Sequence, residues 1–244
     1  MPNWNPWQGC QKVSEGCKNC YIYTHDGENG KNVSQVFKTK YFDLPTQRKK
    51  NGDYKLTSDD VVYTCFYSDF FIESADPWRM DAWAYIKERS DLNFLFLTKR
   101  IHRLLECIPL DWKDGYDNVI IGVSVENQRM ADERLSLLKQ YPMKHKGIIC
   151  QPLIGPIKLE NYLEKIEFVT VGGEQGTYGR SCDYDWVLSL KEQCIQHHVP
   201  FTFRQTGTYF VKDNVHYKIA RKDQVKQARL AHIDYNPKGP LEKI

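Results

Sequence analysis

The chain has 244 residues, and its 34 lysines and arginines nearly balance 31 aspartates and glutamates to leave +3, which excludes a polycation that binds nucleic acid through bulk charge alone. Apolar residues make up 41% and charged residues 27%, the profile of a soluble globular protein rather than a disordered or fibrous one. The length suits one domain and is what a single (β/α) barrel takes.

The start, Met-Pro-Asn-Trp-Asn-Pro-Trp, has neither the basic nor the apolar region of a secretory leader. The longest apolar runs, such as 94–97 and 119–123, fall far short of the roughly 20 residues that span a bilayer. The reading is a cytoplasmic protein with no membrane segment.

In chain order, an N-terminal segment supplies a first strand and a polar loop, 9–21, carries three cysteines. The run 61–66 reads as a strand that ends in Tyr67-Ser68-Asp69. Asp76 as N-cap and Pro77 as first helical residue then open a helix with Met80, Trp83, Ala84 and Ile86 on its apolar stripe. Strands are predicted at 94–97, 119–125, 147–150, 168–171 and 201–203. The helices between them run through Leu104, Leu105 and Ile108, through Met130, Leu135, Leu137 and Leu138, over 159–166 and over 184–197.

This alternation predicts βα units in a parallel sheet, and consecutive apolar positions fit strands buried on both faces. About seven strands favour an α/β fold of the full or partial (β/α) TIM type over a doubly wound open sheet. Barrels gather functional groups at the carboxyl ends of their strands. The polar residues here cluster at those ends: Ser68 and Asp69, Thr98 to Arg100, Ser124 to Asn127, Gln151, Glu174, and Arg204 with Gln205. The barrel occupies 1–211. Residues 212–244 form a basic extension, eight lysines and arginines against four acidic residues, read as a solvated surface helix over 219–230 and a Pro/Gly-containing end.

Eight cysteines in a reducing compartment do not form a disulfide framework. Cys10, Cys17 and Cys20 make a C-x6-C-x2-C pattern in a loop too polar to bury thiols as hydrophobes. Cys65 and Cys150 fall in strands and Cys107 and Cys194 in helices, where packing explains them; Cys182 is ambiguous. Three thiolates suit tetrahedral zinc, with His25 as the fourth ligand. They equally suit a [4Fe-4S] cluster with one open iron, the iron that S-adenosylmethionine chelates in radical enzymes. Position separates the two: a zinc knuckle stabilises a domain without a core, whereas this loop follows the first strand of a large α/β domain, where a barrel does its chemistry. The zinc reading makes the chain a Cys3His nucleic-acid-binding protein, with the basic extension and Tyr209, Phe210 and Tyr217 as its contact surface.

A set of motifs resembles one family. Trp4-Asn5-Pro6-Trp7 with Gly9-Cys10, Ser14-x-Gly16-Cys17-x-x-Cys20-Tyr21, Ser68-Asp69-x-Phe71, Thr98-Lys99-Arg100, Gly122 to Asn127, Pro152-Leu153-x-Gly155-Pro156-Ile157, Gly172-Gly173-Glu174-x-Gly176 and Arg204-Gln205-x-Gly207 are similar to the phage and bacterial three-Cys-motif proteins, regarded as radical-SAM-like. The resemblance spans most of 1–211. It implies a radical-SAM-type barrel, a [4Fe-4S] cluster on Cys10, Cys17 and Cys20, S-adenosylmethionine as cosubstrate, a reductant such as flavodoxin or ferredoxin, and a nucleic acid or nucleotide substrate.

Two departures stand out: the first cysteine gap is six rather than three, and the Gly-Gly-Glu follows a late strand. Ser68 and Asp69 therefore occupy the place of the methionine-amine ligand, and Glu174 faces substrate as a candidate catalytic residue together with Lys99. Thr98 and Arg100 are assigned to the methionine carboxylate, or to a substrate phosphate. Ser124, Glu126 and Asn127 are assigned to the ribose hydroxyls, Asn127 also being placed to cap the next helix. The backbone of Gly172 and Gly173 is assigned to an anion or the adenosine, with close strand-to-loop packing as the alternative. Arg204 and Gln205 close the active face, and Trp4 and Trp7 pack beneath the cysteine loop.

Overall fold

A computed structural model describes residues 2–28, 32–58 and 61–238, the side chains of 25–28 excepted. Asn3–Trp4 (β1) and Trp7–Gln8 (β2) precede the cysteine loop, and Tyr21–Glu28 (α1) and Phe37–Lys38 (β3) follow it. Next come Val61–Thr64 (β4), Asp76–Glu88 (α2), Asn93–Thr98 (β5), Leu104–Cys107 (α3), Val119–Ser124 (β6), Gln128–Gln140 (α4) and His145–Cys150 (β7). Phe168–Gly172 (β8), Cys182–Asp183 (β9), Tyr184–Gln196 (α5), Phe201–Gln205 (β10), Tyr209–Lys212 (β11), Val215–Lys218 (β12) and Gln224–Leu230 (α6) complete the described chain.

Seven strands form one sheet in the order β1-β4-β5-β6-β7-β8-β10. Its registered neighbours run parallel. The order never reverses, whereas a doubly wound sheet has a switch point where it does. Right-handed crossovers taken in one direction set their helices on one face, and the mixed α/β fold is consistent with a partial β/α barrel.

The chain divides into two compact units. The first comprises Met1–Lys12, Ile22–Gly122 and Tyr141–His145 and is built on aromatic packing. Phe70 stacks on Phe96 with ring centroids 4.3 Å apart, Trp83 meets Phe70 edge-on at 4.9 Å, and Trp4 meets Phe94 at 5.6 Å. Each buried indole also satisfies its N–H: Trp83 donates to the Cys107 carbonyl at 2.7 Å, Trp4 to Phe42 at 3.0 Å and Trp7 to Asp69 at 3.2 Å. Strands β4 and β5 alternate between buried and half-buried positions, so the expectation of burial on both faces fails there; Tyr63, Leu95 and Leu97 keep partial exposure. Asp76 is the first residue of α2 rather than its cap, which is Ala75, and its carboxylate is taken by Arg79 and Arg103.

The second unit comprises Val13–Tyr21, Val123–Gln140 and Lys146–Ile244. Here β7 is buried along nearly all its length, as the apolar run predicted. The predicted helix over 159–166 is only a 3-10 turn at Glu160–Tyr162, and that over 219–230 contracts to α6. Ahead of α6 lies an unforeseen hairpin: β11 pairs antiparallel with β12 and parallel with β9. Asp213 and Asn214 turn it with φ of 52° and 60°, the left-handed pair that a two-residue hairpin loop requires. Tyr235 bridges to Phe201, so the basic extension is woven into this unit. No helix among the described residues is long and apolar enough to cross a membrane.

Candidate functional site

In the first unit the carboxyl ends of β4 and β5 converge on Asp69. Its Oδ1 accepts from the Phe71 amide at 3.0 Å and Thr98 Oγ1 at 2.9 Å; its Oδ2 accepts from the Lys99 amide at 3.0 Å and Arg100 Nη1 at 3.2 Å. Four donors fill the acceptor capacity of a carboxylate. Arg100 is buried in this pair and reaches onward, with Nη2 2.7 Å from the Gln11 carbonyl and Nη1 3.9 Å from Cys10 Sγ. Burial alone would make the guanidinium easier to deprotonate, but Asp69 and Cys10 outweigh it and raise its pKa. Ser68 fastens the same segment by donating to the Gly9 carbonyl at 2.5 Å. Thr98 and Arg100, assigned from the sequence to an anion, are buried and turned to Asp69.

In the second unit four residues hold the cysteine loop at successive points. The Gly16 amide donates to Glu126 Oε1 at 3.0 Å, and Arg134 Nη1 donates to Glu126 Oε2 at 2.8 Å. Asn127 donates to Glu15 at 2.9 Å while its own oxygen caps α4 through the Met130 amide at 3.1 Å, the cap the sequence indicated. Asn19 donates to Glu174 Oε2 at 3.1 Å. Arg180 grips Glu174 through Nε at 2.8 Å and Nη2 at 2.5 Å, adds its amide at 2.8 Å, and reaches the Glu15 carbonyl at 3.0 Å. Burial would raise the Glu174 carboxyl, but the hydrogen bonds from Arg180 and Asn19 hold it below its ordinary value.

The Gly-Gly step serves packing. A Cβ on Gly173 would lie 2.1 Å from the Thr206 carbonyl oxygen, and the Gly173 amide is spent on the Gln205 carbonyl at 3.0 Å. Gln205 is buried and donates back to the Gly173 carbonyl at 2.9 Å. Arg204, which the sequence assigned to the active face, lies exposed at a register shift in β10.

A family model described as a protein of unknown function, DUF5131, matches residues 2–234. The chain belongs to the DUF5131 family. No curated protein and no solved structure matches it.

Whether this DUF5131 protein's residues suit a metal centre turns on the chemistry of its thiols. None of the eight cysteines is in a disulfide. Six are buried, and in five of them desolvation pushes the thiol up: Cys107 to about 11, Cys182 and Cys194 to about 12, and Cys65 and Cys150 well above the ordinary thiol value. Neutral packed thiols are poor ligands, because it is the thiolate that binds metal. This settles Cys182 as a packing residue. Cys65 lies just beyond β4 at a left-handed φ of 59°, not inside the strand.

Cys10 and Cys20 are half-buried, but Cys17 is buried at 9% exposure, so the expectation that this loop does not bury its thiols fails at that position. The Arg100 guanidinium beside Cys10 puts positive charge where a thiolate ligand would need it. Among the described residues no group of three His, Cys, Asp or Glu side chains could hold a metal ion; Cys10 belongs to the first unit, Cys17 and Cys20 to the second. Three thiols are a donor type that zinc and an iron–sulfur cluster both accept. The fourth zinc ligand read from the sequence, His25, has its side chain outside the described residues.

The sequence did not reveal Arg134 and Arg180, which complete the hold on the loop. Arg134 lies eight positions beyond Glu126 on an ordinary amphipathic helix, and no local pattern distinguishes it from a solvated arginine.

Proposed function

We propose that this DUF5131 protein is a radical S-adenosylmethionine enzyme whose [4Fe-4S] cluster is held by Cys10, Cys17 and Cys20. The observation that carries the reading is the division of the thiols: five desolvated and neutral, three in one polar loop fastened from the carboxyl ends of strands. When bound, such a cluster supplies one electron to the sulfonium of S-adenosylmethionine, cleaving its S–C5′ bond to give methionine and a 5′-deoxyadenosyl radical.

The chain's own residues position the loop. Asp69 orients Arg100, which holds the Gln11 carbonyl beside Cys10. Glu126, Asn127 and Arg180 fix residues 15 and 16 ahead of Cys17, and Glu174 fixes Asn19 ahead of Cys20. The amine of the cosubstrate goes to Glu174 rather than Asp69. Asp69 has no acceptor position left, whereas Glu174 Oε1 takes a single hydrogen bond, from Arg180, and keeps one lone pair open. Lys99, which gives Asp69 only its amide, keeps its ammonium for a substrate or cosubstrate anion.

Protein purified and reconstituted anaerobically with iron and sulfide, then reduced with dithionite in the presence of S-adenosylmethionine, is expected to yield 5′-deoxyadenosine. Replacing any of the three cysteines by alanine abolishes it. Stoichiometric zinc with no colour and no 5′-deoxyadenosine contradicts the reading and favours the zinc-knuckle alternative.

A further inference from the structure

The second unit holds a cleft of about 450 Å3, within the range of ~300–1,000 Å3 typical of ligand sites. Four of its lining residues are aromatic, Tyr184, Phe203, Phe210 and Tyr217, with Lys212 and aliphatic side chains among the rest; Phe203 and Phe210 are buried, whereas Tyr184 is half-buried and Tyr217 exposed. Phe203 and Phe210 lie nearly parallel with centroids 6.0 Å apart, Tyr184 is 5.7 Å from Phe210, and the Lys212 ammonium is 5.4 Å from the Tyr184 ring centroid. Tyr217 is the cross-strand partner of Phe210 and is 46% exposed.

The segment that walls the cleft is also the basic one. Among residues 212–238, seven lysines and arginines face three aspartates. Arg221, Lys222, Lys226 and Arg229 are exposed, and none forms an ion pair among the described residues. Elsewhere the arginines that matter to the fold are paired: Arg100 with Asp69, Arg134 with Glu126, Arg180 with Glu174. A segment with an excess of cations is self-repelling, and a bound polyanion removes that repulsion. Accessible π-faces and a cationic segment are the two components of a single-strand nucleic-acid site, since every base has a face to stack and every linkage a charge to neutralise. An acidic peptide would use the cations and leave the aromatic walls idle.

We propose that this cleft binds single-stranded nucleic acid, a base packing on the accessible rings of Tyr217 and Tyr184 and the neighbouring phosphates engaging Lys212 and the exposed cations of 221–229. The inference is independent of the cluster, because it draws on a cleft, a hairpin and a charge distribution that the proposed chemistry does not use.

The test is fluorescence anisotropy of a short fluorescein-labelled oligothymidylate with the full chain, at low and at physiological salt. Binding is expected at low salt and to weaken as salt rises. Tyr217→Ala should weaken it about tenfold or more, as loss of one stacked base does. The pair Arg221→Ala and Lys222→Ala should flatten the salt dependence. Both sites are exposed, and an unchanged melting temperature confirms that each variant is folded. Three results would overturn the proposal: no binding at low salt, which leaves the patch to an acidic protein; inorganic polyphosphate competing as well as the oligonucleotide; or oligothymidylate affinity that neither Tyr217→Ala nor Lys212→Ala changes.

Discussion

Two buried carboxylates, Glu126 and Glu174, carry the cysteine loop of the second unit, and each depends on one arginine. Glu126 and Arg134 are both nearly inaccessible, so removing the cation takes the ion-pair partner from a buried carboxylate. Arg134→Met is expected to destabilise the protein by about 3–5 kcal/mol in urea unfolding; a loss within the ordinary surface range would mean that Glu126 finds another partner. Glu174 has a depressed carboxyl. Its contribution is therefore fully present above the ordinary value of 4.5 and is lost as pH falls through the lower folded value. Wild type should exceed Glu174→Gln in urea midpoint at neutral pH, with the gap narrowing in acid as wild-type Glu174 takes up its proton. The same variant is expected to weaken S-adenosylmethionine binding in equilibrium dialysis, whereas Asp69→Asn should act on stability. The reverse pattern would return the amine to Asp69. Of these roles the sequence shows the carboxylates, because they end strands, and hides the arginines, because a helix surface carries many.

Among the elements, the strands were the most legible. Runs such as Val119 to Val123 are apolar on consecutive positions, as in a strand covered on both faces, and β6 and β7 are buried along nearly their whole length, whereas β8 alternates over Phe168 to Val171. The hairpin was legible in principle, since Asp213-Asn214 stands between Tyr-Phe-Val-Lys and Val-His-Tyr-Lys, but the excess of basic residues gives the segment the composition of a solvated tail. The 3-10 turn at Glu160–Tyr162 was not legible, because spacing alone cannot separate one turn from three. Where the loop meets β6 the fit is tight: a Cβ on Gly16 would lie 2.9 Å from the Glu126 carboxyl carbon. Gly16→Ala should therefore push Glu126 aside and make Cys17 react faster with a thiol reagent under native conditions, and unchanged reactivity would show that the loop is not held there. In the first unit Phe70 joins β4 to α2 and β5 through Phe96 and Trp83, so Phe70→Ala should cost about 3–5 kcal/mol in unfolding.

For the whole molecule, the seven-stranded parallel sheet with sequential order explains why the polar residues read from separate motifs fall at strand ends. It also explains why the cysteine loop, placed after β1 and β2, can be fastened by residues that follow β4, β5, β6 and β8. What the fold does not dictate is what the three thiols hold. The most direct measurement is the iron and acid-labile sulfide content of anaerobically reconstituted protein, with the electron paramagnetic resonance spectrum of its reduced form. The account predicts about four irons and four sulfides per chain and a reduced-cluster signal, all lost when Cys10, Cys17 and Cys20 are replaced together. Zinc alone, or iron retained after that replacement, would contradict it.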